Sequence, residues 1–155
     1  MRTALHVPPA SNFFDGDNGE GMVYRSTERD LMPFYKHVAS TTDLRVIVYN
    51  GDADPSINSF VSQNWTSHLG FKPTQTWRPW TIDGCRRMGG YVTRYEGSRF
   101  DFLTIRGSGH MVPQMKPAAS FEFLQRWLKD EEYRPYVKTC TKPSTTTKPS
   151  FEPWR

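Results

Sequence analysis

Long apolar runs are missing from this sequence. No stretch approaches the roughly 18 residues that a membrane-crossing helix needs, and Met1-Arg2-Thr3-Ala4-Leu5-His6-Val7 lacks the apolar core of a signal peptide. No membrane partner is expected, and either the chain is cytosolic or its true N-terminus lies upstream. Cysteine is scarce too: Cys85 and Cys140 can pair in an oxidising compartment, but one pair in 155 residues is no disulfide framework. Apolar residues make up 36% and aromatics 14%, so the apolar material sits in rings and short runs. That composition suits a soluble globular domain, and the length suffices for one core.

An excess of one charge is also absent from the body of the chain. The net charge of +4 traces to the end, where Arg134, Lys138, Lys142, Lys148 and Arg155 face only Glu152. Removing these from the totals of 20 basic and 16 acidic residues leaves 15 of each. A nucleic-acid partner is therefore not expected.

Residues 2–7 read as a short helical start and 14–21 as a Gly/Asp-rich loop. A helix from Met22 is punctuated by Pro33, after which Phe34 and Val38 give a second helix one apolar face. Leu44-Arg45-Val46-Ile47-Val48-Tyr49 reads as a strand buried on both faces of a parallel sheet. A turn through Asp52 and Asp54 leads to a helix with Val61, Trp65 and Leu69 on one side, ending by Pro73. Strands around residues 80–82 and 91–95 flank a loop with Gly84, Gly89 and Gly90. Phe100-Asp101-Phe102-Leu103-Thr104-Ile105 is a second buried-type strand, and a glycine turn carries it to His110. Pro117 opens a helix with Phe121, Leu124 and Leu128 on its core face and Phe123 and Trp127 flanking. The Lys/Pro/Ser/Thr-rich stretch 137–155 reads as a disordered tail after a folded part spanning 1–136.

In an open α/β sheet, loops at the carboxyl ends of parallel strands converge on one crevice, which puts Asp54 and His110 on the same side. A carboxylate and an imidazole are two members of a catalytic triad, whose third is a nucleophile. Asp54 before Pro55 also reads as an ordinary helix cap. Asp52 reads as a bond to turn amides; Asp52, Asp54 and His110 make only three metal ligands, one short of a structural site. Ser108 reads as a turn residue, Met32 and Met115 as gap fillers, and His6, His37 and His68 carry no motif. Asn64-Trp65-Thr66 is a sequon that offers Asn64 as a glycan acceptor beside an apolar face.

Val48-Tyr49-Asn50-Gly51-Asp52-Ala53-Asp54, followed by Gly109-His110-Met111-Val112-Pro113, resembles the aspartate and histidine signatures of the serine carboxypeptidases, the family of cathepsin A and carboxypeptidase Y. The likeness continues through Arg2-Thr3-Ala4-Leu5-His6, Asp30-Leu31-Met32-Pro33, Arg78-Pro79-Trp80 and Phe102-Leu103-Thr104-Ile105-Arg106-Gly107, ending near Tyr136. Ile57 stands where many relatives have cysteine, and Ser108 where alanine or glycine is usual.

The resemblance implies the C-terminal part of an α/β-hydrolase fold, with mostly parallel strands, crossover helices and an inserted hairpin. It implies Asp54 and His110 as catalytic acid and base, Met111 lining the leaving-side pocket, no cofactor, a peptide substrate, and a secreted, lysosomal or vacuolar enzyme. No Gly-x-Ser-x-Gly elbow occurs in the 155 residues. The family's serine elbow, oxyanion-hole glycines and carboxylate-binding residues are expected in an N-terminal portion, the chain's necessary partner. Alone, the chain is expected to be inactive and, with too little to cover its buried-type strands, prone to associate. Two other readings stay open: an acyltransferase using the same Asp54 and His110, and an inactive binding or truncated protein.

Overall fold

The computed structural model describes residues 27–96 and 99–140. The chain divides into two compact units, Met1–Leu31 and Met32–Arg155; in the first, the described residues 27–31 hold no helix or strand. The elements expected at 2–7 and 14–21, the start of the helix from Met22, His6, and the tail from 141 lie outside the described residues.

In the second unit the order is α1 (Met32–Thr41), β1 (Val46–Gly51), α2 (Ser59–Ser67), β2 (Pro73–Thr81), β3 (Met88–Tyr95), β4 (Phe100–Ile105), α3 (Val112–Met115) and α4 (Pro117–Leu128). The four strands form one mixed sheet in the order β1-β4-β3-β2. β1 and β4 are parallel, while β3 runs antiparallel to both β4 and β2. This is an α/β architecture.

Side-chain alternation splits the core in two. Phe100 and Phe102 join Ala39, Leu69 and Tyr95 on one face, against which Tyr35 of α1 and Trp65 of α2 pack. Leu103 and Ile105 join Trp80, Val92, Val112, Ala119, Phe123 and Tyr133 on the other, the face covered by α4. All six residues of β4 are buried, the outcome for a strand sandwiched between helical layers. β1, expected to be covered in the same way, is instead an edge strand of the described sheet. Its first three residues are half-buried and Tyr49 is 40% exposed.

Three helical faces differ from the sequence expectation. In α4, Phe121, Leu124 and Leu128 face outward at 68%, 45% and 65% exposure, while Ala119, Ser120, Phe123 and Arg126 are buried. Apolar residues in α4 occupy two faces, and the small Ala119 and Ser120 let the other one approach the sheet. In α2, Trp65 and the following Leu69 pack into the core as expected, but Val61 is exposed and Ser59, Ser62 and Thr66 are the helix's buried residues. Thr66 satisfies its hydroxyl on the Ser62 carbonyl at 2.8 Å, so a small polar face can pack against the sheet. In α1, Phe34 is exposed and Ala39 is buried. Pro33 lies in the helix's first turn, where a missing N–H costs nothing.

Asp101 is fully buried within β4. Arg94 approaches it from β3 at 3.3 Å and the Tyr133 hydroxyl donates to it at 3.0 Å. Burial raises the Asp101 carboxyl above its ordinary value, against the opposing pull of Arg94 and Tyr133. The chain after α4 then returns along β2, where Thr81 N–H donates to the Arg134 carbonyl at 2.9 Å. Cys140, four residues past the expected end of the folded part, forms a disulfide with Cys85.

Candidate active site

β1 and β4 pair in parallel from Val46 opposite Phe100 to Gly51 opposite Ile105, so both strands release their loops at one level. The loops then run against each other. Asp52 N–H donates to the Ile105 carbonyl at 3.1 Å and Ala53 N–H to the Ser108 carbonyl at 2.9 Å. A Cβ on Gly51 would collide with the carbonyl oxygens of Ser108 and Gly109, so only glycine permits this approach. Asp52, expected to bond turn amides, accepts from the Gly107 N–H at 2.6 Å.

This bracing brings Asp54 and His110 together: Asp54 Oδ2 lies 3.0 Å from His110 Nδ1. The other carboxylate oxygen accepts from the backbone N–H of Ser56 at 2.8 Å and of Ile57 at 3.2 Å. Asp54 thus fixes its own turn with one oxygen and the imidazole with the other. The helix cap is a different residue, Asn58, whose side chain accepts from Phe60 N–H at 2.8 Å.

The Ser56 N–H holds the Asp54 carboxyl below its ordinary value; burial opposes, and His110 and the Ile57 N–H add to the lowering. An ionised carboxylate only accepts, so the proton shared with the imidazole sits on Nδ1 of His110. In the neutral ring Nε2 then carries the lone pair. Nε2 makes no hydrogen bond among the described residues, and the side chain is 66% exposed while that of Asp54 is 3% exposed. A buried acid holds an imidazole whose basic nitrogen faces outward.

The remaining expected residues divide. Met111 follows His110 and is 56% exposed. Asn64 is exposed on α2. Ser108 is fully buried with its hydroxyl donating to the Gly109 carbonyl at 3.2 Å, which fits a turn residue. Met115 is not a core filler: it is 54% exposed, and its sulfur accepts from Gly109 N–H at 3.2 Å, supporting the histidine turn. His37 and His68 bond only within their own helical segments. No cluster of three metal-ligating side chains occurs among the described residues. Sequence reasoning missed the supports supplied by Gly51 and Met115, since a close approach and a sulfur contact leave no local pattern.

Residues 1–130 match the serine carboxypeptidase family. Serine carboxypeptidase 1 of Hordeum vulgare is 37% identical over 128 residues, 83% of this chain and 25% of that protein. Lysosomal protective protein of Mus musculus is 34% identical over 138 residues, 86% of this chain and 28% of that protein. Serine carboxypeptidase-like 20 of Arabidopsis thaliana is 32% identical over 130 residues, 83% of this chain and 25% of that protein. The chain spans about a quarter of the length of these relatives. By the match across residues 1–130, the chain belongs to the serine carboxypeptidase family.

Proposed function

We propose that Asp54 and His110 are the acid and base of a serine-type carboxypeptidase, on an α/β-hydrolase sheet to which β1 and β4 belong. The observation that carries this is the 3.0 Å contact of Asp54 Oδ2 with His110 Nδ1, which leaves Nε2 open. The nucleophile and oxyanion donors come from a further segment, since no Gly-x-Ser-x-Gly elbow occurs in these residues. The serine Oγ attacks the last peptide carbonyl and its proton passes to His110 Nε2. His110 then protonates the leaving amino acid as the acyl-enzyme forms. Water repeats the sequence in reverse, and Asp54 stabilises the imidazolium each time. Met111, next to His110, lines the pocket for the departing residue.

A disulfide between Cys85 and Cys140 suits an oxidising compartment, which supports a secretory, lysosomal or vacuolar location, where exposed Asn64 can accept a glycan. Co-expression with the N-terminal three quarters of the barley relative tests the activity. Hydrolysis of a blocked dipeptide is expected only from the paired product, with loss on His110→Ala. Turnover by the chain alone that survives His110→Ala would reject the reading.

A further inference from the structure

Five described arginines, Arg45, Arg78, Arg94, Arg99 and Arg126, each hold a carboxylate at 3.3 Å or closer. Arg86, Arg87 and Arg106 pair with none among the described residues, and neither does Lys116. These four cations line one pocket of about 460 Å³, and no carboxylate is among its lining residues.

The topology explains the convergence. β3 runs antiparallel to β4, so the turn between β2 and β3 lies at the end of the sheet where β4 finishes. Arg106, the first residue past β4, donates its N–H to the Gly89 carbonyl at 2.8 Å, which seats it against that turn. Lys116, between α3 and α4, reaches over Gly107, with Nζ 3.6 Å from where a Cβ would stand.

The turn is braced. One oxygen of Asp83 accepts from the Thr81 hydroxyl at 2.8 Å and from the N–H groups of Cys85 and Arg87 at 2.9 and 3.2 Å. Ile82 N–H donates to the Arg87 carbonyl at 2.9 Å, and the disulfide ties Cys85 to Cys140. Arg86 and Arg87 therefore project from a fixed frame, so less entropy is lost when they engage a ligand.

Unpaired like charges around one cavity repel each other, and an anion relieves that repulsion. Planar guanidinium groups favour oxyanions that accept paired hydrogen bonds, phosphoryl groups above all. The volume suits a small organic ligand, and Ile82, Met88 and Ala119 add apolar wall. We propose that this pocket binds a small phosphate monoester, its phosphoryl group held by Arg86, Arg87, Arg106 and Lys116 and its organic part against Ile82, Met88 and Ala119. Four cations around one pocket fit such a ligand better than a nucleic-acid polymer, which needs an extended basic face.

Equilibrium dialysis of the whole chain with labelled phenyl phosphate tests this, and reads binding whatever the association state. One saturable site with affinity better than about 1 mM is expected. Inorganic phosphate and benzoate should compete about tenfold less well, because one lacks the ring and the other the second charge. Arg87→Gln and Arg106→Gln should each weaken binding at least about tenfold with the circular dichroism unchanged. Arg99→Gln, outside the pocket, should leave it unaltered. Absence of a saturable site overturns the proposal, as does binding indifferent to both pocket substitutions. Equal affinity for phenyl phosphate and inorganic phosphate overturns it too, leaving an adventitious ion only.

Discussion

Asp52 accepts the Gly107 N–H at 2.6 Å and so fastens the turn after β1 to the turn after β4, two residues from Asp54 and three from His110. The side chain touches neither member of the candidate pair, yet it fixes the spacing between their loops. Asp52→Ala should cost about 1 kcal/mol, the worth of one such bond at an exposed site. It should also broaden the His110 ring resonances, because the two loops then move separately. Asp52→Asn retains an accepting oxygen and should restore most of both. Equal ring spectra in all three proteins would show that the backbone contacts alone set the loop spacing.

Asp54 adds a pH dependence. Its carboxyl lies below the ordinary value of 3.8, chiefly through the Ser56 N–H. A carboxyl depressed in the folded state favours that state above its unfolded pKa, and the advantage is lost as the pH falls through the folded value. Stability should decline below about pH 4, and more shallowly in Asp54→Asn, whose amide does not titrate. Urea midpoints for both proteins across that range check this. Parallel declines would place the pH dependence elsewhere.

The disulfide between Cys85 and Cys140 closes a loop with a sequence separation of 55. Chain-entropy reasoning puts the stabilisation at about 4 kcal/mol. Cys140→Ser should lower the urea midpoint accordingly, and reducing agent should reproduce the loss in the parent chain but not in the variant. A midpoint insensitive to both would mean that the unfolded chain is already restricted there.

Elements with a strong local signal were legible in the sequence. The run from Phe100 to Ile105 became a strand with the expected limits, and Pro117 opened α4. The nearness of Asp54 and His110 was legible because each follows a strand-like apolar run, and parallel neighbours release their loops at the same end of the sheet. What the sequence concealed depended on partners. Nothing local marks Asp101 as a buried charge, because Arg94 and Tyr133 reach it from other elements. The balance of 15 basic and 15 acidic residues in the body likewise hid the pocket cations. Asp43, Asp101, Glu122, Asp130, Glu131 and Glu132 are taken up by Arg45, Arg78, Arg94, Arg99 and Arg126, so neutrality overall coexists with a local excess.

The choice of face in α4 was illegible for a related reason, and it yields the last prediction. Two apolar stripes run along the helix, one through Ala119 and Phe123, the other through Phe121, Leu124 and Leu128. Periodicity cannot rank them, because both repeat at helical spacing. Phe123, 3% exposed, packs against the sheet and lies 5.0 Å from the ring of Tyr49, so Phe123→Ala should destabilise by about 3–5 kcal/mol. Phe121, 68% exposed, should cost under about 0.5 kcal/mol when truncated. The outer stripe then has a separate effect, since exposed apolar rows, like the exposed Phe60 and Val61 of α2, favour association. Light scattering should find the 155-residue chain associating as concentration rises. Replacing Leu124 and Leu128 by lysine should shift it toward monomer without lowering the unfolding midpoint. If Phe121→Ala instead destabilises like a core truncation while Phe123→Ala is neutral, α4 is turned the other way on the sheet.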